Sequence, residues 1–124
     1  MSQVCAVVVT WHPDAARFAL LLQQLETEVE RIVVVDNTAF NRGLAAAQNR
    51  GIALARAGGA THVLLLDQDS VPLPGMTRRL LRELQDLEAR GVKVACVGPR
   101  LRCYGSLTRE RGECLALISS GSLL

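Results

Sequence analysis

The chain has 124 residues, of which 49% are hydrophobic and 21% charged, with a formal net charge of +2. That length takes a single hydrophobic core, and the composition excludes a disordered or low-complexity chain. All but one of the basic residues are arginine, the exception being Lys93, and they are scattered apart from Arg78, Arg79 and Arg82, which speaks against a nucleic-acid partner.

The first apolar run, residues 3–10, is β-branched and is stopped by Trp11-His12-Pro13, since a proline disfavours helix in the residue before it. It predicts strand one. Asp14 is placed to cap a helix over residues 14–28, in which Phe18, Leu21, Leu22 and Leu25 recur at helical spacing. Residues 31–36 predict strand two, again apolar and again ended by an acid, Asp36. A loop of turn formers, 37–43, opens into a second helix over 44–57, closed by Gly58-Gly59. Its small residues Ala47, Gly51 and Ala55 leave one face smooth enough to lie close on a sheet. Residues 61–67 predict strand three, and Met76, Leu80, Leu84 and Leu87 a third helix ending at Gly91. A fourth strand is expected over 92–97, a loop or hairpin over 100–112, an edge strand over 113–118, and a turn at 119–122. Strands alternating with helices at this spacing imply βαβ units and a mostly parallel α/β sheet with flanking helices, one domain over 1–124.

The four cysteines, Cys5, Cys96, Cys103 and Cys114, have no CxxC pairing and no histidine at ligand spacing, so zinc is not expected. They are expected as reduced core cysteines, with a Cys103–Cys114 bridge as the lesser reading. No run approaches the ~20 residues of a membrane span, and the N-terminus lacks a basic, apolar leader pattern. The protein is expected in the cytoplasm, or peripheral to the inner face of the membrane in a longer form.

In a parallel sheet, Thr10, Asp36 and the Asp67-Gln68-Asp69 segment would share one rim, where open α/β folds bind ligands. Two carboxylates at i, i+2 with substrate phosphates suit a divalent cation, Mg²⁺ or Mn²⁺. Asp69 is the first choice for that contact and Asp67 the second, either sharing the ion or turned to a sugar hydroxyl. Asp36 is placed to accept hydrogen bonds from a base or ribose. Trp11 and His12 either stack on a base or cover the edge of the core. Asn41-Arg42-Gly43 precedes a helix whose free N–H groups favour anions.

Five segments in this order resemble the family 2 inverting glycosyltransferases of GT-A fold, and among them the rhamnosyltransferase-like branch. They are Val9-Thr10-Trp11-His12-Pro13, Val35-Asp36-Asn37, the run 41–51, Leu65-Leu66-Asp67-Gln68-Asp69-Ser70, and Ser119-Ser120-Gly121-Ser122-Leu123. Asp36-Asn37-Thr38-Ala39 stands where that family commonly has Asp-Asn-Gly-Ser. The resemblance implies a Rossmann-like nucleotide-sugar-binding domain in which Thr10, Trp11 and Asp36 meet the nucleoside. Asn41, Arg42 and Gly43 would border the nucleotide, Asp67 and Asp69 would hold sugar, ribose or metal with Gln68 among the nucleotide-sugar contacts, and Ser120, Gly121 and Ser122 would line the sugar or acceptor side. It implies a dTDP- or UDP-sugar donor, dTDP-rhamnose for this branch, and a saccharide or lipid-linked acceptor in cell-surface polysaccharide synthesis.

The family's catalytic base is an acid well downstream of the Asp-x-Asp. Neither Glu110 nor Glu113 matches its position, so the base is expected beyond Leu124. The chain is accordingly expected to be the donor half of a domain truncated at its C-terminal side. It should be inactive alone and prone to self-association through an apolar edge near residues 115–124. Two other readings compete: a non-catalytic nucleotide-binding or assembly fragment, and a haloacid-dehalogenase-like phosphatase. The second would need the Asp-x-Asp on its first strand and a later lysine, whereas Lys93 sits inside an apparent strand.

Overall fold

In the computed structural model, which describes residues 2–99, 102–103, 106–107 and 122–124, the three β-branched runs pair in parallel. β1 (Val4–Thr10) lies between β2 (Arg31–Asp36) and β3 (His62–Asp67). The sheet order is β2-β1-β3 followed by the antiparallel Ser122–Leu123 strand, β6. Between the strands run α1 (Ala15–Leu25), α2 (Leu44–Ala57) and α3 (Met76–Ala89). A separate pair, β4 (Arg102–Cys103) and β5 (Ser106–Leu107), is antiparallel, the hairpin expected in that stretch.

The strand order places the helices. The connection from β1 to β2 steps one way and that from β2 to β3 steps back across β1, so crossovers of one hand put α1 and α2 on opposite faces. Packing agrees. Val4, Ala6, Val8, Leu64 and Leu66 face Leu21 and Leu25 of α1 and Leu80 and Leu84 of α3. Cys5, Val7, Val63 and Leu65 face the other way, against Ala55 of α2. The result is an α/β/α sandwich whose central strand is buried along nearly all its length. Ala47, Gly51 and Ala55 are the buried residues of α2, as their small size predicts.

Three expectations change. Residues 92–97 form no strand; only Val97 pairs with the sheet, in a single bridge to Leu123. The place beside β3 is taken by β6, whose Leu123 and Ser122 pair with Leu64 and Leu65. Val94 and Val97 instead pack on the core from outside it. Their apolarity serves packing, while Lys93 and the half-buried Cys96 lie on a connection and not in a strand. Ser122 belongs to β6 and is buried rather than in a turn, and Leu123 is fully buried, so it contributes nothing to an uncovered edge. The expected strand over 113–118, Ser119 to Gly121 and the Cys114 side of the proposed bridge lie outside the described residues.

Helix one also stops three residues early, at Leu25, and the reason is tertiary. Glu28 turns away to α3, where its two carboxylate oxygens accept from the N–H groups of Gly75 at 2.6 Å and Thr77 at 3.0 Å. Gly75 has no side chain with which to cap that helix, and α3 has no acid in its first turn. A remote carboxylate thus satisfies amides that helix ends leave unpaired. Glu28→Ala is expected to lower stability by about 1–2 kcal/mol, with Glu28→Gln intermediate, as read from urea unfolding midpoints. Among the described residues no helix is long and apolar enough to cross a membrane.

Candidate functional site: the cleft at the carboxyl ends of the strands

The parallel register brings the three predicted strand ends to one rim. Thr10 is opposite Asp36, and Val9 is opposite Asp67. In a sheet of order 2-1-3 the crevice between β1 and β3 is a topological switch point, where ligands bind. A cleft of about 270 Å³ opens there, lined by Val9, Trp11, Asn37, Asn41, Leu44, Asp67 and Gln68. That is close to the lower end of small-molecule sites, roughly 300 Å³.

The loops around the cleft are tied to one another. Gln68 holds the backbone of Trp11 from both sides: its Oε1 accepts from Trp11 N–H at 2.8 Å and its Nε2 donates to Trp11 C=O at 3.1 Å. The next residue, His12, donates its N–H to Thr38 Oγ at 3.0 Å. His12 is the only described non-glycine residue at positive φ, 43°, a conformation that costs of order 1 kcal/mol or more and persists only where surroundings impose it. Here the Gln68 ties on Trp11, the bond from His12's own N–H to Thr38, and Pro13 impose it. Trp11, 54% exposed, stands over the cleft with the His12 ring edge-on to it, centroids 4.7 Å apart. Neither ring covers the core edge.

Asp36 is engaged in its own turn. Its Oδ1 accepts from Thr38 N–H at 2.9 Å and Thr10 Oγ–H at 3.3 Å. These bonds, the Thr38 amide foremost, hold its carboxyl below the ordinary aspartate range despite its exposure. Thr10 is buried and reaches the rim only through Asp36.

Asn37 was not among the predicted site residues, yet it organises the loop. It is 6% exposed. Its amide donates to Asn41 Oδ1 at 3.1 Å and Gly43 C=O at 3.4 Å, and its oxygen accepts from Arg42 N–H at 3.1 Å. Asn41 in turn accepts from Gly43 N–H at 2.8 Å. Gly43, at φ 84°, ends this network as the N-cap of α2 with no side-chain cap, and the first turn of α2 carries no acid. Arg42 is exposed, its guanidinium 5.3 Å from the Phe40 ring. Val9 and Leu44, also unpredicted, supply the apolar floor. The sequence signals for Asn37 were its place after a strand-terminal acid and its presence in the Val35-Asp36-Asn37 segment of the family resemblance.

At the end of β3, Asp67 keeps an exposed face, yet its pKa is raised, first by desolvation at the strand end and then by the charge of Asp69. A partly desolvated carboxylate with a second acid two residues away has use for a cation. Among the described residues no three His, Cys, Asp or Glu side chains gather into a complete cage. Two carboxylates completed by substrate phosphate and water is how magnesium is commonly held, so Asp67 and Asp69 fit such an ion. Ser120 and Gly121 lie outside the described residues.

Comparison with known proteins gives one family. The model described as "Glycosyl transferase family 2" matches residues 16–111, a span that includes all of α1 but its first residue, the 37–43 loop, α2 and the Asp67 to Asp69 segment. No curated protein and no solved structure gave a match.

Proposed function

This chain belongs to glycosyl transferase family 2, and from that premise we propose that its cleft holds the donor for transfer of rhamnose from dTDP-rhamnose to an acceptor hydroxyl. Family membership carries the coarser statement, that a sugar leaves a nucleotide-sugar for an acceptor. The one observation that supports the assignment of the donor to this cleft is that the ends of β1, β2 and β3 share one rim, with Asp67 and Gln68 in the wall of the crevice there. Rhamnose is supported by the Asp67-Gln68-Asp69-Ser70 and 41–51 segments and their likeness to the rhamnosyltransferase-like branch.

In this reading the thymine stacks on Trp11 and hydrogen-bonds to Asp36, which Thr10 and Thr38 orient. Arg42 and the α2 N-terminus beside Gly43 face the nucleotide. Asn37 and Gln68 are positioning residues that hold, respectively, the 37–43 loop and the Trp11 backbone. Asp69 and Asp67 would hold a Mg²⁺ or Mn²⁺ ion, which would supply countercharge for the departing diphosphate. Transfer is a single displacement: the acceptor oxygen bonds the anomeric carbon as the bond to the diphosphate breaks, and a carboxylate takes the hydroxyl proton. None of the described residues is assigned that last role, and Ser120 and Gly121 are assigned to the sugar or acceptor side.

Calorimetric titration of dTDP and UDP, each with and without Mg²⁺ or Mn²⁺, tests the reading. We expect dTDP to bind at least about tenfold more tightly with the ion, a difference of ~1.4 kcal/mol, and Asp69→Ala to remove that gain. Absence of binding by either nucleotide under all conditions would leave the chain as a non-catalytic assembly module.

A further inference from the structure

Directly after the Asp67 to Asp69 segment the chain builds a surface that the donor cleft does not use. Val71 and Leu73 are 58% and 64% exposed, and they alternate with Pro72 and Pro74, whose rings restrict the backbone and hold the two aliphatic side chains outward at small entropic cost. The exposed Arg78, Arg79 and Arg82 follow on α3 and, with Pro74 and Gly75, surround a concavity of about 510 Å³. Among the described residues no hydrogen bond or ion pair engages these three guanidinium groups.

The charge is on the wrong end of the helix for stability. A helix favours acids in its first turn and bases in its last, whereas α3 has no acid in its first turn and no base in its last. Arg78, Arg79 and Arg82 occupy its first half, and Glu83, Asp86 and Glu88 its second. The amides at the N-terminus are already taken by Glu28, so that helix end is not itself a vacant anion site. Arginines kept where they work against the helix dipole, beside aliphatic side chains kept in water, have a common use in binding a surface that is both anionic and apolar.

We propose that this face docks on an anionic phospholipid bilayer, with Val71 and Leu73 entering the boundary between headgroups and acyl chains and the three arginines meeting lipid phosphates. A nucleic acid would satisfy the arginines and leave the aliphatic side chains without a partner; a bilayer accommodates both. Docking itself is independent of the donor assignment; only its consequence for the acceptor rests on that reading. The loop begins two residues after Asp69, so the cleft mouth would sit at the headgroup layer, where an acceptor anchored in lipid presents its hydroxyl.

Co-sedimentation of the 124-residue chain with vesicles of phosphatidylcholine, alone or mixed with phosphatidylglycerol, tests this. We expect binding to the anionic vesicles only, weakening with salt. The triple variant R78Q/R79Q/R82Q should bind about a hundredfold more weakly, from roughly fivefold per arginine, and L73S about tenfold more weakly. Circular dichroism confirms that both variants are folded, and dTDP titration separates docking from the donor reading, since neither variant touches the cleft. Equal binding to neutral and anionic vesicles, no vesicle binding, or variants that sediment like the wild type would each overturn the proposal. So would an RNA oligonucleotide that binds the chain with L73S having no effect on either ligand.

Discussion

Asp67→Asn is expected to stabilise the metal-free chain against heat at pH 7 and, in the same protein, to abolish metal-dependent nucleotide binding. Desolvation at the end of β3, and then the charge of Asp69, raise the folded-state pKa of Asp67 above its ordinary value. A raised acid binds its proton more tightly when folded. Its ionised form therefore costs stability at every pH above the folded pKa, and the cost is relieved as pH falls through that value toward the unfolded one. The asparagine variant should accordingly exceed the wild type at neutral pH and lose its advantage in the acid range. Asp36 has the opposite sign: its lowered pKa stabilises the fold above the ordinary aspartate value, a contribution lost as pH falls through the folded one. On the binding side, removing one member of a charge-paired site costs about 2–5 kcal/mol, roughly thirtyfold or more in affinity. Scanning calorimetry across pH and titration with dTDP and Mg²⁺ read the two effects separately. A variant less stable at pH 7, or one with metal-dependent binding intact, would sink the idea that this carboxylate is kept at a structural cost for its ligand.

The second large effect is expected at Gly51, in the middle of the smooth face of α2. A β-carbon added there would stand 2.3 Å from Cγ1 of Val7 and 3.3 Å from Cγ2 of Val35. Val7 is 1% exposed on the central strand and is β-branched, so it has few other rotamers to adopt. Gly→Ala in a helix ordinarily gains about 1 kcal/mol from propensity, but overpacking a buried contact costs typically ~1–3 kcal/mol. Gly51→Ala should therefore be net destabilising, and Gly51→Val more so, in a domain whose whole stability is about 5–15 kcal/mol. Val7→Ala removes the obstructing methyl, so the double variant G51A/V7A should be more stable than the sum of the two single changes predicts, a coupling measurable by urea unfolding. Additive changes would mean that the helix lifts off the sheet without resistance.

What sequence reading captured and missed divides along a physical line. Helix two was legible to the residue, Leu44 to Ala57, because glycines mark both ends and small residues its inner face. The strands β1 to β3 were legible because a buried parallel strand needs a continuous β-branched run. Their common rim followed from the βαβ alternation alone. Residues 92–97 looked alike by composition, yet strand formation depends on a free partner, and the partner of β3 came from the distant Ser122 and Leu123. Within the site, Asp67 and Asp69 stood out by chemistry. Gln68 was named for the donor, yet its tie to the Trp11 backbone was not foreseen, nor were the bonds of Asn37 in the 37–43 loop and, outside the site, of Glu28 to α3; these reach backbone atoms, and no periodicity records such bonds.

The rim of the cleft carries the chain's single tryptophan. Trp11 stands half in water there, with its backbone held by Gln68 at the end of β3 and its neighbour held by Thr38 beyond β2. No second indole contributes to the emission, so intrinsic fluorescence is a built-in optical readout of this one spot. A stacked base would quench it, and loss of the Gln68 ties would shift it toward the spectrum of a freely rotating side chain. The reporter that a spectroscopist would otherwise have to engineer is already part of the wall.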